Sequence, residues 1–313
     1  MSVKKLASTT KRIEDWRAKY DMAVFEKSFQ KWLVELERPE ASWTIQDLID
    51  SGADFTAQNP LTKETYRREP KNEMLVGYHA FTVLRGDYHI LAQCRQLIQR
   101  DPKGCKEAMY LAAWCQWAMC RWPDNSPNSG LVSFNFYNVW NVYGTIIADA
   151  DEGFIAELAD LLRRPEYQCH SEKVMRSTGS VYFDMVLGRT EDDILRVQLE
   201  KNLADLERRK GTRRGWLAEM RVILDILDRD EEALDRDLRE MIRCHRSNPD
   251  NHLCLYALAY AKTAMRRGLE VTVDTEDCPL SLSRPADMDY SGLELPRPKY
   301  GFPWERYEAE PPP

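Results

Sequence analysis

Four residues in the last third of the chain carry the atoms that zinc prefers: Cys244-His245, then His252-x-Cys254. Thiolate sulfur and imidazole nitrogen are its usual donors, but structural zinc sites space their ligands in a way this stretch does not match. Adjacent residues on a helix point in different directions, and the second pair opens a new helix. The favoured reading is a buried cysteine pair beside ordinary histidines, so no metal and no cofactor are expected. His79 and His89 have no nucleophile near them in sequence. There is no Gly-rich phosphate loop and no His-Glu-x-x-His segment. Arg85-Gly-Asp87 reads as a helix-turn tripeptide. Lys210-Gly-Thr-Arg-Arg214 is basic enough to touch phosphate, but in a chain of net charge −7 it reads as a solvated loop. Carboxylates are abundant and none is marked as a catalytic pair. No catalytic residue is assigned, and an enzyme is not expected.

The carboxylates do recur in one place. An apolar helix end, a tight acidic turn and a new apolar helix occur three times: Ile147-Ala-Asp-Ala-Asp-Glu-Gly-Phe-Ile155, Leu187-Gly-Arg-Thr-Glu-Asp-Asp-Ile194 and Leu227-Asp-Arg-Asp-Glu-Glu-Ala-Leu234. A spacing of about 40 residues is the period of stacked helical hairpins, a scaffold that more often binds a macromolecule than does chemistry.

The bulk numbers agree with a folded domain. The chain has 313 residues, 43% apolar and 30% charged. Its negative balance argues against nucleic acid as the partner and suits a basic protein surface. No signal peptide is visible, and the best apolar window, Ala108 to Trp122, is broken by Gln116 and Arg121, so no membrane span is expected. Eight cysteines without a tight frame fit a reducing compartment, with Cys115, Cys120 and Cys254 as small buried hydrophobes. A cytoplasmic location follows.

Elements that would position the turns can be read from periodicity. A long amphipathic helix covers 10–37. A short one begins at Thr44 with Asp47 as its capping partner. A loop covers 53–71. Helices follow at about 72–85, 87–100, 103–121, 136–148, 151–163, 171–187, 190–208, 214–228, 230–246 and 252–267, with Gly86-Asp87 separating the first pair. Asp149 and Thr190 are read as caps. Residues 122–135 form a longer loop, followed by aromatics that join Trp114, Trp117 and Trp122 in one core. Gly268 stops the last helix, Leu269 to Asp274 alternates like a short strand, and the proline-rich stretch from Arg284 is extended. The expected fold is all-α: stacked antiparallel helical hairpins, α-solenoid-like or an irregular bundle, with one short C-terminal strand segment and an extended Pro-rich tail. The division is an N-terminal helical segment at 1–58 packing on the body, a helical-hairpin domain at 59–283, and the tail at 284–313.

If consecutive helices alternate direction, the turns near 149, 189 and 229 share one end. That end gathers Asp149, Asp151, Glu152, Glu191, Asp192, Asp193, Asp228, Asp230, Glu231 and Glu232, with Arg189 and Arg229 against them. The loops near 167, 211 and 248 fall at the other end, with Arg163, Arg164, Arg208, Arg209, Lys210, Arg213, Arg214, Arg243 and Arg246. Helix electrostatics is the plain explanation, because acids favour helix N-termini. The sharper one is an acidic rim that docks a basic protein.

The segment Leu255-Tyr-Ala-Leu-Ala-Tyr-Ala-Lys-Thr-Ala-Met-Arg-Arg-Gly-Leu-Glu-Val-Thr-Val-Asp-Thr-Glu-Asp-Cys-Pro279 resembles the closing segment of the immunity protein 49 family. The run from Tyr78 through Leu97 is similar too, and the likeness covers about 60–282. It implies a cytoplasmic bacterial protein that binds and neutralises a cognate toxin, with no catalytic residues. An acidic rim that mimics nucleic-acid charge would suit a nuclease toxin. A general helical-repeat adaptor is the alternative, and a metal-dependent enzyme built on Cys244, His245, His252 and Cys254 is the third reading.

Overall fold

The computed structural model describes residue 18 and residues 22–58, 62–67, 74–122, 136–164, 173–209, 214–245 and 252–305. Among the described residues helix accounts for 68% and the sheet is a single two-stranded hairpin, so the fold is all-α.

The body starts with a hairpin of two long helices, α3 (Val76–Leu97) and α4 (Pro102–Arg121). They run antiparallel, as Arg85 Nη1 donating to Gln116 Oε1 at 2.5 Å shows. The expected break at Gly86-Asp87 does not occur: α3 passes straight through it. A lone glycine inside a helix costs about 1 kcal/mol, and here the helix is buried on both sides of that exposed position. Asp87 does not cap a new helix; it accepts a hydrogen bond from Ser28 Oγ at 2.9 Å. Ser28 belongs to α1 (Met22–Glu35), which lies along α3 with Phe29 against Tyr88. Between them come a 3-10 turn, Pro39–Ser42, and the short helix α2 (Ile45–Asp50). Thr44 and Asp47 form a full capping box at the start of α2. The carbonyl of Ala41 sits so close to Gly77 that any side chain there would collide with it.

The expected loop at 53–71 contains the only β-ladder among the described residues, β1 (Thr56–Gln58) paired antiparallel with β2 (Thr65–Arg67). Beyond α4 come α5 (Phe136–Ile147), α6 (Glu152–Leu162), α7 (Lys173–Val186), α8 (Asp192–Glu207), α9 (Arg214–Asp228), α10 (Glu231–His245), α11 (Leu255–Arg266) and α12 (Leu280–Ser283). Helices α7 to α10 are successive antiparallel neighbours. Asn202 Nδ2 of α8 donates to Ser177 Oγ of α7 at 2.9 Å, and Arg196 of α8 pairs with Asp228 of α9. Helix α11 is the axis of the domain: every residue from Leu255 to Ala264 is buried. Alanine at alternate positions lets α5 lie close beside it, and Tyr143 of α5 packs on Tyr256 and Tyr260.

Among the described residues two aromatic clusters stand out in the core. Tyr143, Tyr182, Tyr256 and Tyr260 fill the middle. Trp114, Trp117, Trp122 and Phe81 form the other, which is closed by the tail: Phe302 and Trp304 stack at 4.3 Å and are both buried in it. Trp114 Nε1 donates to Pro296 O at 2.9 Å, and the Lys299 amide donates to Leu36 O at 2.9 Å. The proline-rich segment is thus extended, as its composition requires, and held by the body. Residues 269–274 are extended too, but they form no ladder. Their amides go to side chains of α10 instead: Glu270 N to Glu231 Oε1 at 2.7 Å and Thr272 N to Asp235 Oδ1 at 3.1 Å.

Candidate functional site

The three acidic turns are one piece of backbone chemistry used three times. Each preceding helix closes with the paired reverse hydrogen bonds of a Schellman motif around one left-handed residue. After α5 that residue is Asp149 (φ 57°), with Asp149 N to Ile146 O and Ala150 N to Thr145 O. After α7 it is Gly188 (φ 60°), and after α9 it is Arg229 (φ 58°). The next helix is then capped at once. Asp151 accepts from Phe154 N at 2.9 Å, and Asp230 accepts from Ala233 N at 3.0 Å. The cap of α6 therefore sits beyond the expected position, at Asp151 rather than Asp149, and Glu191 rather than Thr190 holds the N-cap position of α8, without a capping side-chain hydrogen bond. The repeat seen in the sequence is this turn.

The structure brings the turns to one edge, where α11 ends. Arg266 Nη2 donates to Asp149 Oδ1 at 2.9 Å, its neighbour Arg267 pairs with Asp192, and Glu270 N binds Glu231. Asp151, Glu152, Glu191, Asp193, Asp228, Asp230, Glu231 and Glu232 are exposed there, and Asp192 is half-buried. Asp149 is a correction to the rim. Its side chain is 2% exposed, so it presents nothing to a partner. The rim is also more neutralised than Arg189 and Arg229 alone would make it, since Arg196 pairs with Asp228 and Arg267 with Asp192. Glu152, Glu191, Asp193 and Glu232 are the rim acids to which the structure assigns no hydrogen bond or ion pair among the described residues.

Sorting of the bases to the opposite end fails at the first hairpin. Arg163, at the end of α6, donates to Ser180 O and Asp184 Oδ1 of α7, both at 2.8 Å, and Arg189 pairs with Asp160 of α6 at 2.5 Å. Helix α6 therefore runs from the first acidic turn toward the second, not back to the far end. Its eleven residues span about 16 Å, the reach of a strut along one edge. Lys210, Arg213 and Arg246 lie outside the described residues.

Under this edge sits a charge cluster that periodicity did not find. Lys106 Nζ and Lys262 Nζ both donate to Asp149 Oδ2, at 2.7 and 2.5 Å, and Lys262 also donates to Ile147 O at 2.6 Å. The two lysine side chains are 4% and 0% exposed. Burial pulls the Lys262 ammonium down from 10.5 to about 7; the Asp149 carboxylate opposes that shift and the Lys106 charge adds to it. Burial pushes the Asp149 carboxyl up, but the two ammonium groups outweigh it and its net shift is downward. The cluster fixes the left-handed turn that Asp149 occupies without a glycine. It also holds the tail, through Lys106 Nζ to Arg284 O at 3.3 Å and Tyr290 Oη to Ala148 O. A lone lysine within the apolar run Leu255–Ala264 was the available signal.

A second buried acid, Glu219 of α9, accepts from Tyr260 Oη at 2.6 Å and Tyr143 Oη at 3.2 Å. Burial raises its pKa, against the pull of both hydroxyls. The residues weighed for metal do not converge. Cys254 is fully buried, with its amide on Asp277 O at 2.7 Å, and burial pushes its thiol up. His252 is buried with its amide on Gln93 Oε1 at 3.0 Å, whereas Cys244 lies near Glu240. Among the described residues no three His, Cys, Asp or Glu side chains could hold an ion together. Arg85 of the tripeptide is turned into the α3–α4 interface. No helix among the described residues is long and apolar enough to cross a membrane.

Comparison with family models, curated proteins and solved structures returns no match.

Proposed function

We propose that this chain is a stoichiometric binding protein whose acidic edge docks a basic protein, and that the partner is a cognate bacterial toxin it neutralises. The observation that carries the docking surface is the convergence of three turns on the end of α11, which leaves Glu152, Glu191, Asp193 and Glu232 exposed along one edge. Such charges raise the rate of encounter more than they tighten the complex. Ile194 and Val197, 59% and 66% exposed on the same stretch of α8, supply an apolar contact between the acids. The toxin as partner comes from the family likeness. Without it, the same edge supports the adaptor reading.

The test begins with the tagged chain as bait and mass spectrometry of what it retains, followed by titration calorimetry with the purified partner. One-to-one binding to a toxin, with loss of its activity, supports the reading. Replacing Glu152, Glu191, Asp193 and Glu232 by Lys should slow association by about tenfold or more at low salt. An unchanged association rate removes the edge from the account, and a non-toxic partner leaves only an adaptor.

A further inference from the structure

Helices α9 and α10 enclose a groove of about 270 Å³ away from the acidic turns, lined by Arg214, Leu217, Ala218 and Arg221 on one wall and Asp237 and Glu240 on the other. The α9 residues recur at helical spacing and so share a face, as do the two acids of α10. The walls carry opposite charge over an apolar floor. Asp237 is 7% exposed although it is ionisable, and behind it stands Asp225, whose Oδ2 is buried with no hydrogen-bond partner. Burial, then the Asp237 charge, pushes the Asp225 carboxyl up to about 7. The α10 wall thus carries two carboxyl groups, Asp237 and Glu240, while Asp225 faces Asp237 from α9 and does not line the groove. Arg236 meets Asp237 from outside at 3.1 Å, Arg243 meets Glu240, and Arg221 reaches Glu207 at 3.1 Å. Arg221 and Arg243 are exposed, so each can swing aside at small cost, whereas Arg236 holds both oxygens of the nearly buried Asp237 and leaves only if another cation takes its place. Arg214 is exposed at the first position of α9.

We propose that this groove binds a zwitterionic α-amino acid with an aliphatic side chain. Arg214 and Arg221 take its carboxylate, Asp237 and Glu240 take its ammonium group, and Leu217 with Ala218 receives the side chain. A guanidinium pair matches a carboxylate in geometry as well as charge. The groove, of about 270 Å³ and open to solvent on one side, has room for a ligand of amino-acid size. A purely cationic ligand would face two arginines, and a purely anionic one would face the acids.

The test titrates the isotope-labelled full chain with L-leucine, N-acetyl-L-leucine and L-leucinamide while amide resonances are followed. L-Leucine should give saturable shifts confined to 214–221 and 237–240. Each blocked form, lacking one charge, should bind at least about tenfold more weakly, since a charge-assisted hydrogen bond is lost and its partner stays unpaired. Arg214→Gln, at an exposed position that does not threaten folding, should weaken L-leucine by a similar factor and leave L-leucinamide unchanged. Absence of saturable shifts at these residues overturns the proposal. So does equal binding of either blocked form, which would make the groove a site for a single charge.

Discussion

Replacing Lys262 by Met removes one of two ammonium groups from a single buried carboxylate oxygen while keeping a side chain of similar length. Its folded-state pKa is about 7 against 10.5 for the ordinary group. The unfolded chain therefore binds a proton at Lys262 that the folded chain gives up between those values. Stability must rise with pH through that window and level off below it. The whole window is worth up to about 5 kcal/mol at 1.36 kcal/mol per unit, and the portion between about pH 7 and 8.5 is worth roughly 2 kcal/mol. Other groups titrate there too, because burial pushes the thiols of Cys105, Cys115, Cys254 and Cys278 up, which favours the folded state less as the pH rises. The difference between wild type and Lys262→Met cancels them. The assay is urea unfolding of both proteins at several pH values across that range. At the lower end the variant should be as stable as wild type or more so, since an apolar side chain replaces a poorly compensated buried charge and leaves Asp149 paired with Lys106 and Arg266. At the upper end wild type should have gained about 2 kcal/mol on the variant. A gap independent of pH, or one that closes as the pH rises, would refute the claim that Lys262 is held below its ordinary range.

The Asp225 carboxyl, held at about 7 by burial and by Asp237, works in the opposite sense: its folded pKa is above its unfolded value, so the stability it contributes is lost as the pH rises from about 4 to 7. Asp225→Asn should therefore raise the melting temperature near pH 8 and change little near pH 4, and scanning calorimetry at the two values checks it. The tail should matter to the fold through Phe302. It is 3% exposed between Phe81, Trp117 and Trp122, so Phe302→Ala should cost about 3–5 kcal/mol in a denaturant titration. A cost under 1 kcal/mol would mean that the tail rests on the body without stabilising it.

Helix positions were legible because their signals are local. The stretch 103–121 has Asp101 and Pro102 to start it and an apolar face throughout, and the observed helix starts at Pro102 and ends at Arg121. Gly86 misled because its preference for a turn is small against burial on both sides of it. The candidate edge was legible in part. The acids of the three turns do gather, because each turn closes its helix with the same Schellman hydrogen bonds, two of the three add an aspartate cap, and packing against the end of α11 puts those turns side by side. Asp149 was misread because its neighbours in sequence are exposed acids, whereas its partners Lys106, Lys262 and Arg266 lie more than forty and a hundred residues away. The direction of α6 was invisible for a similar reason. Nothing within its eleven residues encodes Arg189 and Asp184 as the places where Asp160 and Arg163 find their partners.

By itself the sequence determined the all-α class, nearly every helix from α4 to α11, and the recurrence of one turn, since each depends on residues within a few positions of one another. The tertiary structure alone decided which acids face water and which lysine gives up its proton, and it placed the proline-rich tail over the tryptophans. Solvation and ion pairing depend on what lies opposite in space. For Asp149 that is α4 and α11, and no local pattern specifies them.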